Sequence, residues 1–149
     1  MESNNYHYWT DASNRAQKAE RWVEKMEKEH PSEIAHSVRY SLIYNKEDVN
    51  YPCLEANYPC LKRYHDTIIG LESLDSVSAV LKYAGLSSKT AVLNFASYKE
   101  PGGMFLQGSK AQEECLCHES TLYNVLRKFD STYYARNRKA LNRALYQNV

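Results

Sequence analysis

What this chain has little of narrows its class before any motif is read. Its 149 residues hold only four cysteines. Two of them, Cys115 and Cys117, fall inside an expected helix, so reduced thiols fit better than a disulfide framework. No stretch is apolar for the length of a membrane span, and residues 1–15 lack the basic start and apolar core of a signal peptide. A soluble cytoplasmic protein is the expectation. An excess of charge of one sign is missing too. Nineteen Lys and Arg against eighteen Asp and Glu leave a formal charge of +1, too little for a nucleic-acid footprint or for attraction to an anionic membrane. Any anion this protein binds must be caught by local groups.

What is present suffices for one domain. At 43% hydrophobic residues the chain can bury one core and is short for two, so residues 1–149 are read as a single unit whose first part, 1–45, is helical. From Ala12 to Lys28 the apolar positions Ala12, Ala16, Ala19, Val23 and Met26 recur at helical steps. Thr10 or Asp11 can start this helix and Pro31 must follow its end. Val38 to Tyr44 has the β-branched and aromatic content of a strand. Residues 50–63 hold a tandem duplication, Asn-Tyr-Pro-Cys-Leu twice, whose prolines block both helix and central strand and make it a loop.

The second half reads as α/β. Asp75 to Tyr83 predicts a helix capped by Ser73 or Asp75 and closed near Gly85. Ala91 to Ala96 is apolar on both faces apart from Asn94, which suits a strand buried between helices. A loop with adjacent glycines, Gly102 and Gly103, follows. Gln112 to Phe129 predicts one long helix burying Leu116, Leu122, Tyr123 and Leu126, with Cys115 packed in the helix–sheet interface. Arg136 to Asn148 predicts a final helix, with Ala140, Leu141, Ala144 and Leu145 on one face. Strand, glycine loop and helix in that order put bare backbone at the carboxyl edge of a sheet, where open α/β folds bind ligands. Gly102 and Gly103 can take positive φ and turn their amides toward an anion.

Gln112-Glu113-Glu114 opens the helix just beyond that loop. Two acidic residues at a helix start also offset the macrodipole, but consecutive helical side chains point about 100° apart, so the two carboxylates cannot do one job. One can hold a substrate hydroxyl while the other exchanges protons. A metal site built on Cys115, Cys117 and His118 is disfavoured, because Cys117 points away from the other two on a helix and no Cys-x-x-Cys pair exists. His118 is expected on the helix surface or bonded to a backbone group.

The stretch VLNFASYKEPGGMFLQGSKAQEECLCHESTLY, from Val92 to Tyr123, resembles the signature region of the microbial-type poly(ADP-ribose) glycohydrolases, a macrodomain-related family marked by a Gly-Gly-Gly loop, a short gap and Gln-Glu-Glu. Here Gly102-Gly103-Met104 is separated by seven residues from Gln112. The resemblance places residues 90–127 as the signature strand, loop and helix, and implies a three-layer α/β/α macrodomain-like fold. It further implies hydrolysis of ribose–ribose O-glycosidic bonds in poly(ADP-ribose) or related ADP-ribosyl linkages. Glu114 would be the general acid and base, Glu113 would hold ribose hydroxyls, and Asn94, Ser97, Gly102, Gly103, Met104 and Gln112 would contact substrate. This chemistry needs a carboxylic acid for the leaving oxygen and calls for no cofactor and no metal.

Two departures from the family pattern set up the alternative. Met104 stands at the third glycine, where a side chain would strain a positive-φ backbone or fill the pocket. Residues 124–149 contain no glycine to form a second phosphate-binding loop, so the fold is expected to be incomplete, with an exposed sheet edge covered by self-association, a completing chain or the terminal helices. The alternative function is a catalytically impaired module that binds ADP-ribose or a protein partner.

Overall fold

A computed structural model of the chain describes residues 11–43, 68–86 and 89–139. The fold divides into two compact units, one formed by residues 1–41 with 75–149 and one by residues 42–74. In the smaller unit the described residues, 42–43 and 68–74, form neither helix nor strand. The 50–63 duplication lies outside the described residues.

The larger unit begins with α1 (Ala12–Glu29), capped by the Asp11 carboxylate, which accepts from the Ser13 amide at 2.8 Å. Its inward stripe is Arg15, Ala19, Val23 and Met26. Ala12 and Ala16, expected at the start of that stripe, are exposed and half-buried, and Arg15 occupies it, its Nε donating to the Gly108 carbonyl at 2.5 Å. α1 stops at His30, and Pro31 opens α2 (Pro31–Tyr40) at its first turn, where a missing amide costs nothing. The strand expected from Val38 is corrected: Val38 to Tyr40 are helical. A proline start, the buried Ile34 and a His36–Tyr40 ring contact at 4.6 Å together outweigh β-branched content.

α3 (Ser76–Ala84) is capped by Asp75, whose carboxylate accepts from the Ser78 amide at 3.0 Å, and it closes at Gly85. The single long helix expected from Gln112 is instead α4 (Gln112–His118), α5 (Leu122–Leu126), a tight 3₁₀ turn at Arg127–Phe129 and a π turn at Asp130–Tyr134 leading into α6 (Ala135–Lys139). The break has a local cause. The Ser120 hydroxyl donates to the Leu116 carbonyl at 2.6 Å and accepts from the Leu122 amide at 3.2 Å, offering the backbone an alternative to helix. The Ser120 carbonyl is then free to accept from Trp22 Nε1 at 3.0 Å. α6 covers the start of the predicted final helix, whose later residues lie outside the described ones.

Among the described residues every regular element is helical. The run from Ala91 to Ala96, expected as a buried strand, has no ladder partner there, and Leu93 and Phe95 are 73% and 74% exposed. The core lies elsewhere. Ala19, Val23, Phe105 and Cys117 form its centre, with Trp22, Leu106, Leu122 and Tyr123 packed around them. Phe105, in the 3₁₀ turn Phe105–Gln107 that follows the glycines, is completely buried. Burial of such a ring stabilises by about 1.5–3 kcal/mol, and it ties the glycine loop to α1.

Gly108 closes that turn with φ +78°, and a Cβ there would strike the Ala12 carbonyl. We predict that Gly108→Ala destabilises the protein by about 2 kcal/mol or more in urea titration. Gly85→Ala, with φ −83° and open space around it, is the control, expected to be neutral or stabilising by a few tenths of a kcal/mol. Equal losses at the two positions would contradict the packing of α1 on Gly108.

Candidate active site

Three consecutive side chains at the start of α4 are spent on segments that precede it. Gln112 accepts from the Phe95 amide through Oε1 at 2.8 Å and donates through Nε2 to the Leu93 carbonyl at 2.8 Å and to Ser76 Oγ at 3.1 Å. Glu113 Oε2 accepts from the Ser97 amide at 2.8 Å, and its Oε1 accepts from Asn94 Nδ2 at 3.2 Å. The bonded groups of residues 93, 95 and 97 are two residues apart, the spacing of one edge of an extended chain. Side chains of α4 thus occupy an edge that a neighbouring strand would otherwise fill, which is why no ladder is needed on that side.

Glu114 engages the loop itself, its Oε1 accepting from the Met104 amide at 2.9 Å. Gly102 and Gly103 have φ of +68° and +60°. A Cβ on Gly103 would sit 2.5 Å from Glu114 Oε1 and 3.3 Å from Glu113 Oε2, and one on Gly102 would sit 2.8 Å from the Tyr123 ring. Gly103 therefore lets the backbone close over the acid pair, and Gly102 lets it close over Tyr123. Asn94, Ser97, Gly103, Met104, Gln112, Glu113 and Glu114 are brought together around the helix start, with Gly102 adjoining them on the core side.

Four expectations need correction. The Gly103 amide does not face an open site: it donates to the Glu100 carbonyl at 3.0 Å and closes the turn. Met104 is not strained, since its φ is −100°, and its side chain is 60% exposed; only two positions in this loop need a left-handed backbone. Cys117 rather than Cys115 is the buried thiol, and His118 is buried against the Phe105 ring with centroids 4.6 Å apart. α4 points its charged and thiol side chains inward because the loop supplies the amides that receive the carboxylates.

Both glutamates are almost fully buried. Burial pushes the Glu113 carboxyl above its ordinary value, helped by the charge of Glu114 and opposed by the bonds from Ser97 and Asn94. Burial with the two carboxylates pushes the Cys117 thiol up to about 12, so it is a neutral thiol and no nucleophile at physiological pH. Burial, with Lys18 and Arg15 nearby, pushes His118 down. Burial with the Glu113 charge also raises the Tyr134 phenol. Among the described residues no three of His, Cys, Asp and Glu could hold a metal ion.

Beside the loop lies a cleft of about 530 Å³ bordered by Glu100, Pro101, Gly103, Tyr123, Arg127 and Asp130. Several residues that build this region carry no motif: Phe105, Gly108, Arg15, Tyr134 and Arg138. Gly108 alone left a signal in the sequence, as an isolated glycine ending a short apolar run.

Loop glycines set against a buried, amide-bonded carboxylate pair define the region as a candidate glycosidic site. The family model described as microbial-type PARG, catalytic domain, matches residues 7–149, and the chain belongs to that family, which supports a poly(ADP-ribose) glycohydrolase in general. No curated protein and no solved structure matches the chain. No helix among the described residues is long and apolar enough to cross a membrane.

The raised Glu113 makes a pH prediction. Its proton is held more tightly in the folded than in the unfolded chain, so the corresponding stabilisation is complete below the ordinary value of 4.5 and is lost as pH rises from there through the raised value. Glu113→Gln should remove this slope from the curve of unfolding free energy against pH. The substitution is structurally tolerable, because the buried Asn94 Oδ1, which has no hydrogen-bond partner, can turn to accept from the new amide while Ser97 keeps its acceptor. Identical pH profiles for variant and wild type would refute the assignment.

Proposed function

We propose that this protein hydrolyses ribose–ribose O-glycosidic bonds of poly(ADP-ribose), or related ADP-ribosyl linkages, with Glu114 as general acid and base. The unequal bonding of the two glutamates carries the reading. Glu113 commits both oxygens, to Asn94 and Ser97, while Glu114 commits Oε1 to the Met104 amide. Proton exchange falls to the carboxyl that is less engaged, and its neighbour holds the strand end and the ribose hydroxyls.

In the reaction, protonated Glu114 gives its proton to the glycosidic oxygen as the bond from that oxygen to the anomeric carbon breaks, and the bonding pair leaves with the oxygen. The oxocarbenium-like carbon is captured by water, whose proton passes to the Glu114 carboxylate. One water is consumed and the acid is regenerated. Asn94, Ser97, Gly102, Gly103 and Met104 would border the sugar. Gln112, with its amide bonded at both ends, acts by holding the strand end. We also infer that the run from Ala91 to Ala96 is a strand of a macrodomain-like α/β/α fold with ADP-ribose across its carboxyl end. The one-edge bonding of residues 93, 95 and 97 supports this.

Release of ADP-ribose from poly(ADP-ribose) by the purified protein tests the reading. Glu114→Gln should lower kcat by about 10²–10⁴-fold with little change in Tm, because the glutamine oxygen still accepts from Met104. A wild type that binds ADP-ribose and releases none from polymer would replace the enzyme with a binding module.

A further inference from the structure

Two consecutive glycines at positive φ leave a loop with many accessible conformations, so its shape must be imposed by other groups. The acid pair supplies one set of bonds, and the segment after the π turn supplies another. Asn137 Nδ2 donates to the Tyr98 carbonyl at 3.0 Å, and Arg138 Nη1 donates to the Lys99 carbonyl at 2.9 Å. The other arm of that guanidinium, Nη2, donates to Asp130 Oδ1 at 2.9 Å, and Glu100 Oε2 lies 3.7 Å from Nη1. Within the same segment, the Ser97 hydroxyl accepts from the Glu100 amide at 3.1 Å and the Glu100 carbonyl accepts from the Gly103 amide at 3.0 Å. The peptide from Ser97 to Met104 is therefore suspended between Glu113 at one end and Glu114 at the other, with Asn137 and Arg138 on the Tyr98 and Lys99 carbonyls between.

We propose that Arg138, with Asn137 beside it, is a positioning residue that clasps the Tyr98 and Lys99 carbonyls and so keeps Gly103 seated against Glu114. The carboxylate partners of Arg138 are about half exposed, at 51% for Asp130 and 58% for Glu100, and ion pairs of that kind contribute little by themselves. What is specific is a planar fork that spans a main-chain carbonyl and a carboxylate at once, which the ammonium of a lysine does not reproduce. Asp130 sits at the start of the π turn and Arg138 one turn beyond its end, so the turn sets the reach of the fork. Turns of this type, with one extra residue per turn, recur at functional sites. The kinetic consequence rests on the glycohydrolase reading, whereas the clasp itself rests on the bonds above.

Amide hydrogen exchange on the intact protein without substrate separates the two. In Arg138→Ala the amides of Glu100, Gly103 and Met104 should exchange about tenfold faster or more, with those of α1 unchanged. With poly(ADP-ribose), kcat should fall by about 30-fold while KM stays within about threefold. Added guanidinium at millimolar concentration should recover part of that loss in Arg138→Ala and none in Glu114→Gln, and Arg138→Lys should recover less than half. Unchanged exchange at the three amides overturns the proposal, as does acceleration spread equally through α1, or local loosening with no effect on kcat. A wild type without turnover but with the same local exchange pattern removes the glycohydrolase reading and leaves the clasp standing.

Discussion

The carboxylates of Glu113 and Glu114 accept main-chain amides from residues 97 and 104, and much else in the larger unit is arranged around that exchange. A buried carboxylate without partners is strongly unfavourable, and a loop with two left-handed glycines does not hold one shape alone. Each deficit is met by the other. The amides receive the charge, and the charge fixes the loop. The helix start contributes as well, since its dipole favours negative groups at its first turn.

The remaining contacts hold this pairing in place from behind. Phe105 fills the core directly after the glycines, and Gly108 lets the Ala12 end of α1 lie against the loop with Arg15 bonded to its carbonyl. α5 adds Asn124, fully buried, donating to the Val23 carbonyl and to Glu27 Oε2 at 3.0 Å each. The bond from Asn124, the largest cause, and that from Lys128 at 2.9 Å hold the Glu27 carboxyl below its ordinary value. The core is thus small in apolar content and dense in side-chain to main-chain bonds. Such a core specifies one arrangement, because each buried donor and acceptor has few alternatives.

Electrostatics divides the inward face of α4 into groups with distinct chemistry. Burial raises the Glu113 carboxyl above its ordinary value, keeps Cys117 a neutral thiol and lowers His118. The same burial removes a cysteine nucleophile from consideration, because a thiol beside two carboxylates gains nothing by ionising.

Local chemistry determined much of this from the residues alone. Asp11 and Asp75 cap their helices, Pro31 and Gly85 mark boundaries, and the spacing from Gly102 to Glu114 was sufficient to resemble the microbial-type family. Those features depend on groups within a few residues of one another, and caps, turns and motif spacing are local by nature. The tertiary structure alone decided what depends on distant partners. Val38 to Tyr40 became helix, the helix from Gln112 broke at Ser120, Cys117 and His118 turned inward, and Arg138 reached the Lys99 carbonyl. The Ala91–Ala96 run, expected as a buried strand, is bonded on one edge by side chains of α4 and pairs with no strand among the described residues. A strand or a buried face exists only through the partner opposite it, and which partner arrives is a property of the whole fold rather than of any window of sequence.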